Sequence, residues 1–205
     1  MVLKKSIIIG LSIILGILFA SASIVLATGI IAKDPLGLFF GAGTYYFNKG
    51  NYKDAVYYFS KAVAYNPDAA EAYYNMGVSE YYLGNTEEAR AAFEHALKIN
   101  TTYAKAEYSL GLLLYQQHDY SGAIEHLARV TELEPSGTNA HFDLAIVYVE
   151  RFRTKEDSGQ NIKDDLEDLR QAYSHYSTVE TLHPGFPHAA DNAAVITEVI
   201  KNYGS

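Results

Sequence analysis

The side chains best equipped for chemistry in this chain are seven histidines, set in a sequence without a single cysteine. The lack of cysteine excludes disulfides, thiolate metal sites, haem attachment of the Cys-x-x-Cys-His type and cysteine nucleophiles. A histidine metal site needs several ligands brought together at fixed spacing. No His-Glu-x-x-His run or other recognised ligand set occurs, and most of the histidines fall on helical registers with a structural role. His183 and His188 flank Pro184-Gly185-Phe186-Pro187 and could meet, but no metal is expected there. The chain has no glycine-rich phosphate loop and no Gly-x-Ser-x-Gly turn. Catalysis requires a converging set of groups; none is visible, so neither an enzyme nor a cofactor is expected. Asn100-Thr101-Thr102 is the one N-glycosylation acceptor triplet, which makes Asn100 a candidate modification site on an exposed turn.

What does recur in this sequence is apolar, and it recurs every 34 residues. Segments beginning at Leu36, Ala70, Ala104 and Thr138 superimpose in register. Gly43, Gly77, Gly111 and Ala145 share one small column. Ala55, Ala89 and Ala123 share another, Phe59, Phe93 and Leu127 a third, and Ala62, Ala96 and Val130 a fourth. Gly50 and Gly84 align with His118 at a turn, and Pro67 and Pro135 align with Thr101 at the end of each unit. The pattern predicts a helix–turn–helix unit whose small column lets the two helices approach closely. Asn51, Asn85 and Asp119 stand where N-caps of the second helix belong. In the fourth unit, Ala172, Tyr176, Val179 and Pro184 restore the pattern 15 residues late. The surplus near residues 153–168 is charge-dense and reads as a solvated loop or as a forward extension of the second helix.

This register resembles the tetratricopeptide repeat family from Leu36 to about Tyr203. The resemblance implies an all-α, right-handed solenoid with repeats at about 36–69, 70–103, 104–137 and 138–186, closed by a capping helix at about 187–203. It also implies that the first helix of each pair lines a concave, partner-binding surface. One inward column is then Phe40, Tyr74, Tyr108 and Phe142, and another is Phe47, Tyr81, Tyr115 and Val149. Between them lie Thr44, Val78, Leu112 and Ile146, where many relatives carry polar residues. The expected groove is therefore aromatic and aliphatic, suited to an apolar peptide or helix segment. Some relatives clamp a chaperone's C-terminal carboxylate with Lys, Asn and Arg. The matching positions here are Phe40, Thr44, Asn75, Lys105 and Ser109, which lack most of the needed positive charge.

Residues 6–32 contain no charge, follow Lys4 and Lys5, and precede Lys33 and Asp34. As a helix these 27 residues would reach about 40 Å, more than the roughly 30 Å hydrocarbon core. The expectation is a transmembrane signal-anchor at 1–33 that holds the repeats (34–205) outside the cytoplasm. The alternative is a secreted protein, with a signal peptide cleaved after Ala20-Ser21-Ala22, although that leaves a strongly apolar new N-terminus. Beyond the two leading lysines the chain has 14 basic residues against 24 acidic, a net charge of −10, which argues against nucleic acid. The expected function is a non-enzymatic scaffold for a protein partner, with a self-assembling structural subunit as the alternative and an enzyme a distant third.

Overall fold

The computed structural model describes residues 34–158 and 162–204, and every regular element among them is an α-helix. Four helix pairs and a final helix follow in order. They are α1 (Pro35–Asn48) with α2 (Tyr52–Tyr65), α3 (Ala70–Leu83) with α4 (Thr86–Ile99), α5 (Ala104–Gln116) with α6 (Tyr120–Leu133), α7 (Thr138–Asp157) with α8 (Ile162–Leu182), and then α9 (Ala189–Gly204). Each pair packs within itself and on the next, with little contact beyond neighbours, as a solenoid must. The apolar run at 6–32 lies outside the described residues. Among those that are described, no helix is long and apolar enough to cross a membrane.

The helix ends follow from local chemistry. Asp34 caps α1 by accepting from the Gly37 amide at 2.9 Å, with Pro35 at the first helical position. Asn51 and Asp119 accept from the amides of Asp54 (3.3 Å) and Gly122 (3.0 Å). Asn85 departs from the expected cap: its carboxamide instead donates to Glu80 at 2.7 Å, because that carboxylate lies across the turn. Gly50, Gly84 and His118 all adopt left-handed φ values, of 72°, 80° and 62°. That conformation suits glycine and makes His118 the strained member of its column.

The two leading columns of the repeat meet inside each pair. A Cβ at Gly43 would lie 2.7 Å from Phe59, one at Gly77 2.8 Å from Phe93, and one at Gly111 2.8 Å from Leu127. The absent side chain is thus the space into which the large residue packs. Ala55, Ala62, Ala89, Ala96, Ala123 and Leu127 are fully buried.

In the fourth pair the described residues of the surplus, 153–157 and 162–168, are helical. Both helices lengthen, to 20 residues in α7 and 21 in α8, against 14 in most of the others. The extension carries its own core, since Phe152, Leu166 and Leu169 are buried with Tyr176 and Val179. Its charge is partly internal. Buried Asp168 accepts from the Arg151 guanidinium and from Lys155 Nζ at 3.1 Å, so charged residues that read as solvent-facing instead tie the two helices together. Helix α9 covers the end of the array with Ala189, Ile196, Val199 and Ile200, and Tyr203 donates to Glu156 at 2.7 Å.

Candidate functional site

The first helices of the second and third pairs stand side by side and enclose a cavity of about 190 Å³. Its walls are Tyr74, Val78, Tyr81 and Tyr82 of α3 and Ser109, Leu112 and Gln116 of α5, over the buried ring of Phe93 from α4. Four expected groove residues, Tyr74, Val78, Tyr81 and Leu112, therefore share one pocket. At one end Gln116 Nε2 donates to the Tyr81 hydroxyl at 2.7 Å, which links the two walls. Ligand pockets for metabolites and drugs run from roughly 300 to 1,000 Å³. This space is smaller and suits one or two side chains of a segment lying along the surface.

The other expected residues are placed differently. Tyr108 lies in a neighbouring cavity of about 440 Å³ with Lys105, Val130, Glu134 and Thr138, and its hydroxyl donates to Asp143 across to α7. Burial pushes the Tyr108 phenol up, and the Asp143 bond adds to it; burial also raises the Asp143 carboxyl, against the hydrogen bond, which lowers it. Tyr115 leans on Tyr120 at 6.0 Å. Phe142 packs between Tyr176 (5.4 Å) and Phe186 (5.0 Å), so its ring serves the fourth pair's own packing. Phe40 sits edge-on to Phe59 at 5.6 Å, and Phe47 edge-on to both Tyr52 and Tyr82. Ile146 and Val149 face a separate cavity of about 220 Å³ with Arg153, Tyr176 and Ile196. Of the carboxylate-clamp positions, Thr44 donates to Phe40 O at 3.0 Å and Asn75 to Glu71 O at 2.9 Å, so both polar groups are engaged within their own helices.

Of the residues lining the α3–α5 pocket, Tyr82, Leu113 and Gln116 were not singled out from the sequence, and Ser109 was named only as a carboxylate-clamp position. A signal existed. Tyr82, Gln116 and Glu150 form one further column of the 34-residue repeat, and Asn75, Ser109 and Asp143 form another.

Several histidines serve packing between helices. His126 Nδ1 meets Glu107 at 2.6 Å between α6 and α5, and His141 Nδ1 meets His175 Nδ1 at 2.9 Å between α7 and α8. These are the same two repeat positions, one pair later. His141 Nε2 lies 3.1 Å from Pro135 O, which holds a proton on that nitrogen, so the hydrogen between the rings belongs to His175. Burial, and then the neighbouring His141, lower the His175 pKa to about 4. His183 rests edge-on to Phe186 at 5.8 Å, and among the described residues no group of three or more potential metal ligands occurs. Asn100 is exposed at the end of α4, with its Oδ1 accepting from the Thr102 amide (3.1 Å) and hydroxyl (3.0 Å).

Comparison with known proteins agrees with this architecture. Two tetratricopeptide repeat families match the sequence, over residues 40–104 and 80–141. No curated protein matches it. Among solved structures, the crystal structure of MamA protein is similar at 20% identity and a TM-score of 0.68, covering 80% of this chain and 82% of that one. A structure of MamA from residue 41 to its end, from Desulfovibrio magneticus RS-1, matches at 19% identity and 0.64, covering 83% and 93%. YrrB, described as a TPR protein with an unusual peptide-binding site, matches at 24% and 0.64, covering 80% and 77%. At these identities the likenesses establish the fold.

Proposed function

We propose that this chain, whose helix pairs are tetratricopeptide repeats and which is a scaffold for protein–protein contact, holds an apolar or aromatic segment of a partner protein in the pocket between α3 and α5. The observation that carries this reading is the convergence of Tyr74, Val78, Tyr81 and Leu112 on one small cavity whose lining is mostly aromatic and aliphatic. Aromatic walls supply contact area, and the size suits a side chain inserted from an extended or helical segment. YrrB, which shares the fold, has a peptide-binding site, and a peptide is the class of ligand proposed for this pocket.

In this reading the scaffold is tethered. Residues 6–32 span the cytoplasmic membrane behind Lys4 and Lys5, and the repeats stand on the outer side. N-terminal sequencing of the native protein tests the tether: a start at Met1 agrees with it, and a start at Ser23 or later replaces it with a secreted protein.

The groove is tested with a photo-crosslinking residue in place of Ser109 in intact cells, with the adducts identified by mass spectrometry. Val78→Asn with Leu112→Asn restores polarity without removing the packing aromatics. It should weaken capture by the equivalent of roughly 2 kcal/mol, as truncations at the centre of an interface do. Lys105→Ala should leave capture unchanged. If Lys105→Ala abolishes the adduct and the Asn pair does not, a charged-terminus reading replaces this one. An adduct of the chain with itself makes the protein a self-assembling subunit.

A further inference from the structure

The face of α1 on which a preceding pair would stack is not covered by any described residue, and it adjoins the outward side of α2. Arrays of this kind need a polar outer face at each end. This one presents rings and lysines. Leu38, Tyr45, Tyr46 and Lys49 follow one another at helical spacing on α1, and Tyr57, Tyr58 and Lys61 do so on α2. The four tyrosines form a continuous chain across both helices. Tyr45 is edge-on to Tyr46 at 5.4 Å, Tyr46 is stacked on Tyr58 at 5.2 Å, and Tyr58 is edge-on to Tyr57 at 5.2 Å. Lys49 lies over the Tyr45 ring at 5.9 Å and Lys61 over the Tyr57 ring at 5.4 Å. Leu38, Tyr45 and Tyr57 are each more than half exposed, at 58, 59 and 53%.

We propose that this end face lies against the lipid headgroups of the bilayer that holds the N-terminal run, an inference that rests on the anchor reading above. Three observations favour lipid. Only Lys33 and Asp34 separate Ala32 from Pro35, so α1 begins within about 10 Å of the end of the apolar run. Tyrosine rings and lysine stems are the side chains that partition to the headgroup layer, with the ring or stem inward and the polar tip in water. Charge along the molecule also sets its orientation. Residues 34–69 carry three lysines and three aspartates, whereas residues 70–205 carry 10 basic against 21 acidic residues, a net of −11. An anionic surface repels the net-acidic body beyond residue 70 and leaves the first pair, whose lysines and aspartates balance, as the part that can approach it.

The absence of cysteine makes the test direct, since single reporters can be placed in the full-length chain. Leu38→Cys puts a bimane label on the end face, and Tyr57→Cys puts one at the far end of the tyrosine chain on the adjoining side of α2. Tyr173→Cys and Val195→Cys put it on exposed sites of the fourth pair and α9. The labelled chains are reconstituted in vesicles of phosphatidylcholine with a minority of phosphatidylglycerol and a headgroup spin-labelled lipid. Quenching at 38 and 57, but not at 173 or 195, is the expected result. Lys49→Gln and Lys61→Gln should each lower the docked-to-free ratio about fivefold. If the chain resists an alkaline carbonate wash while positions 38 and 57 quench no more than 173, the docking is wrong and the anchor stands. If the wash releases the chain, the anchor falls and the docking with it. Disulfide-linked dimers through position 38 without lipid quenching assign the face to a second copy and also overturn the proposal.

Discussion

At the scale of single residues, the turns between pairs carry as much information as the core. Asn66 and Asn100 occupy the same repeat position and make the same turn, each accepting from the amide two residues on, at 3.0 and 3.1 Å. The residue between is Pro67 in one turn and Thr101 in the other. The shared geometry means that proline fits at 101, where it restricts the unfolded chain without straining the folded one. Thr101→Pro should therefore raise stability by about 0.4–1 kcal/mol, read as an increased denaturation midpoint at unchanged slope. The same change places proline inside the Asn100 acceptor triplet, which glycosylation does not tolerate. If Asn100 is modified in a glycosylating host, Thr101→Pro should remove the mobility shift while the protein becomes more stable. Loss of stability would show that the two turns are not equivalent.

At the scale of the element, the fourth pair is where acid should act first. His175 is held neutral between α7 and α8, with Tyr148 stacked at 6.0 Å and His141 against its Nδ1. Its pKa falls from an ordinary 6.5 to about 4 on folding, so between those values the unfolded chain binds a proton that the folded chain refuses. Stability from this group is complete above about pH 6.5 and is lost as pH falls toward 4. The thermal midpoint should drop through that window, and His175→Gln should flatten the drop. A parallel fall in both proteins would assign the acid sensitivity to the carboxylates. The pairing of His141 with His175 also shows where sequence reading stops. The 34-residue register places Glu107 and His126 in the columns that meet, but the 15-residue surplus shifts His175 away from its column and hides the equivalence. Helix pairs, turn glycines and the small-against-large columns were legible because each follows from local spacing and repeats several times. The burial of Asp168 was not, because charge density signals solvent, and only the paired helix shows that Arg151 and Lys155 supply its partners. The pocket was half legible for a similar reason. Columns 34 apart identify which residues share a face, whereas Tyr82 and Gln116 enter it from the edge of that face.

At the scale of the whole molecule, a linear array is only as strong as its thinnest joint, because each pair touches only its neighbours. That joint is between α4 and α5, where the second and third pairs approach each other at fewer points than the first with the second or the third with the fourth. Two exposed hydrogen bonds cross it, Gln116 to Tyr81 at 2.7 Å and Gln117 to Glu87 at 3.0 Å, each worth on the order of 1 kcal/mol. The proposed binding pocket straddles this joint, with Tyr74 and Val78 on one side and Ser109 and Leu112 on the other. The weakest seam and the binding site are therefore one place, and an occupant would hold the halves together. Native-state hydrogen exchange at low denaturant should show the amides of α1–α4 and α5–α9 opening with two distinct free energies. Gln117→Ala should move the two values further from the free energy of global unfolding. A bound partner segment at a hundred times its dissociation constant should slow exchange on both sides of the joint by about 2.7 kcal/mol, through mass action. Protection confined to one half would mean that the segment binds a single pair, and the pocket between α3 and α5 would not be its site.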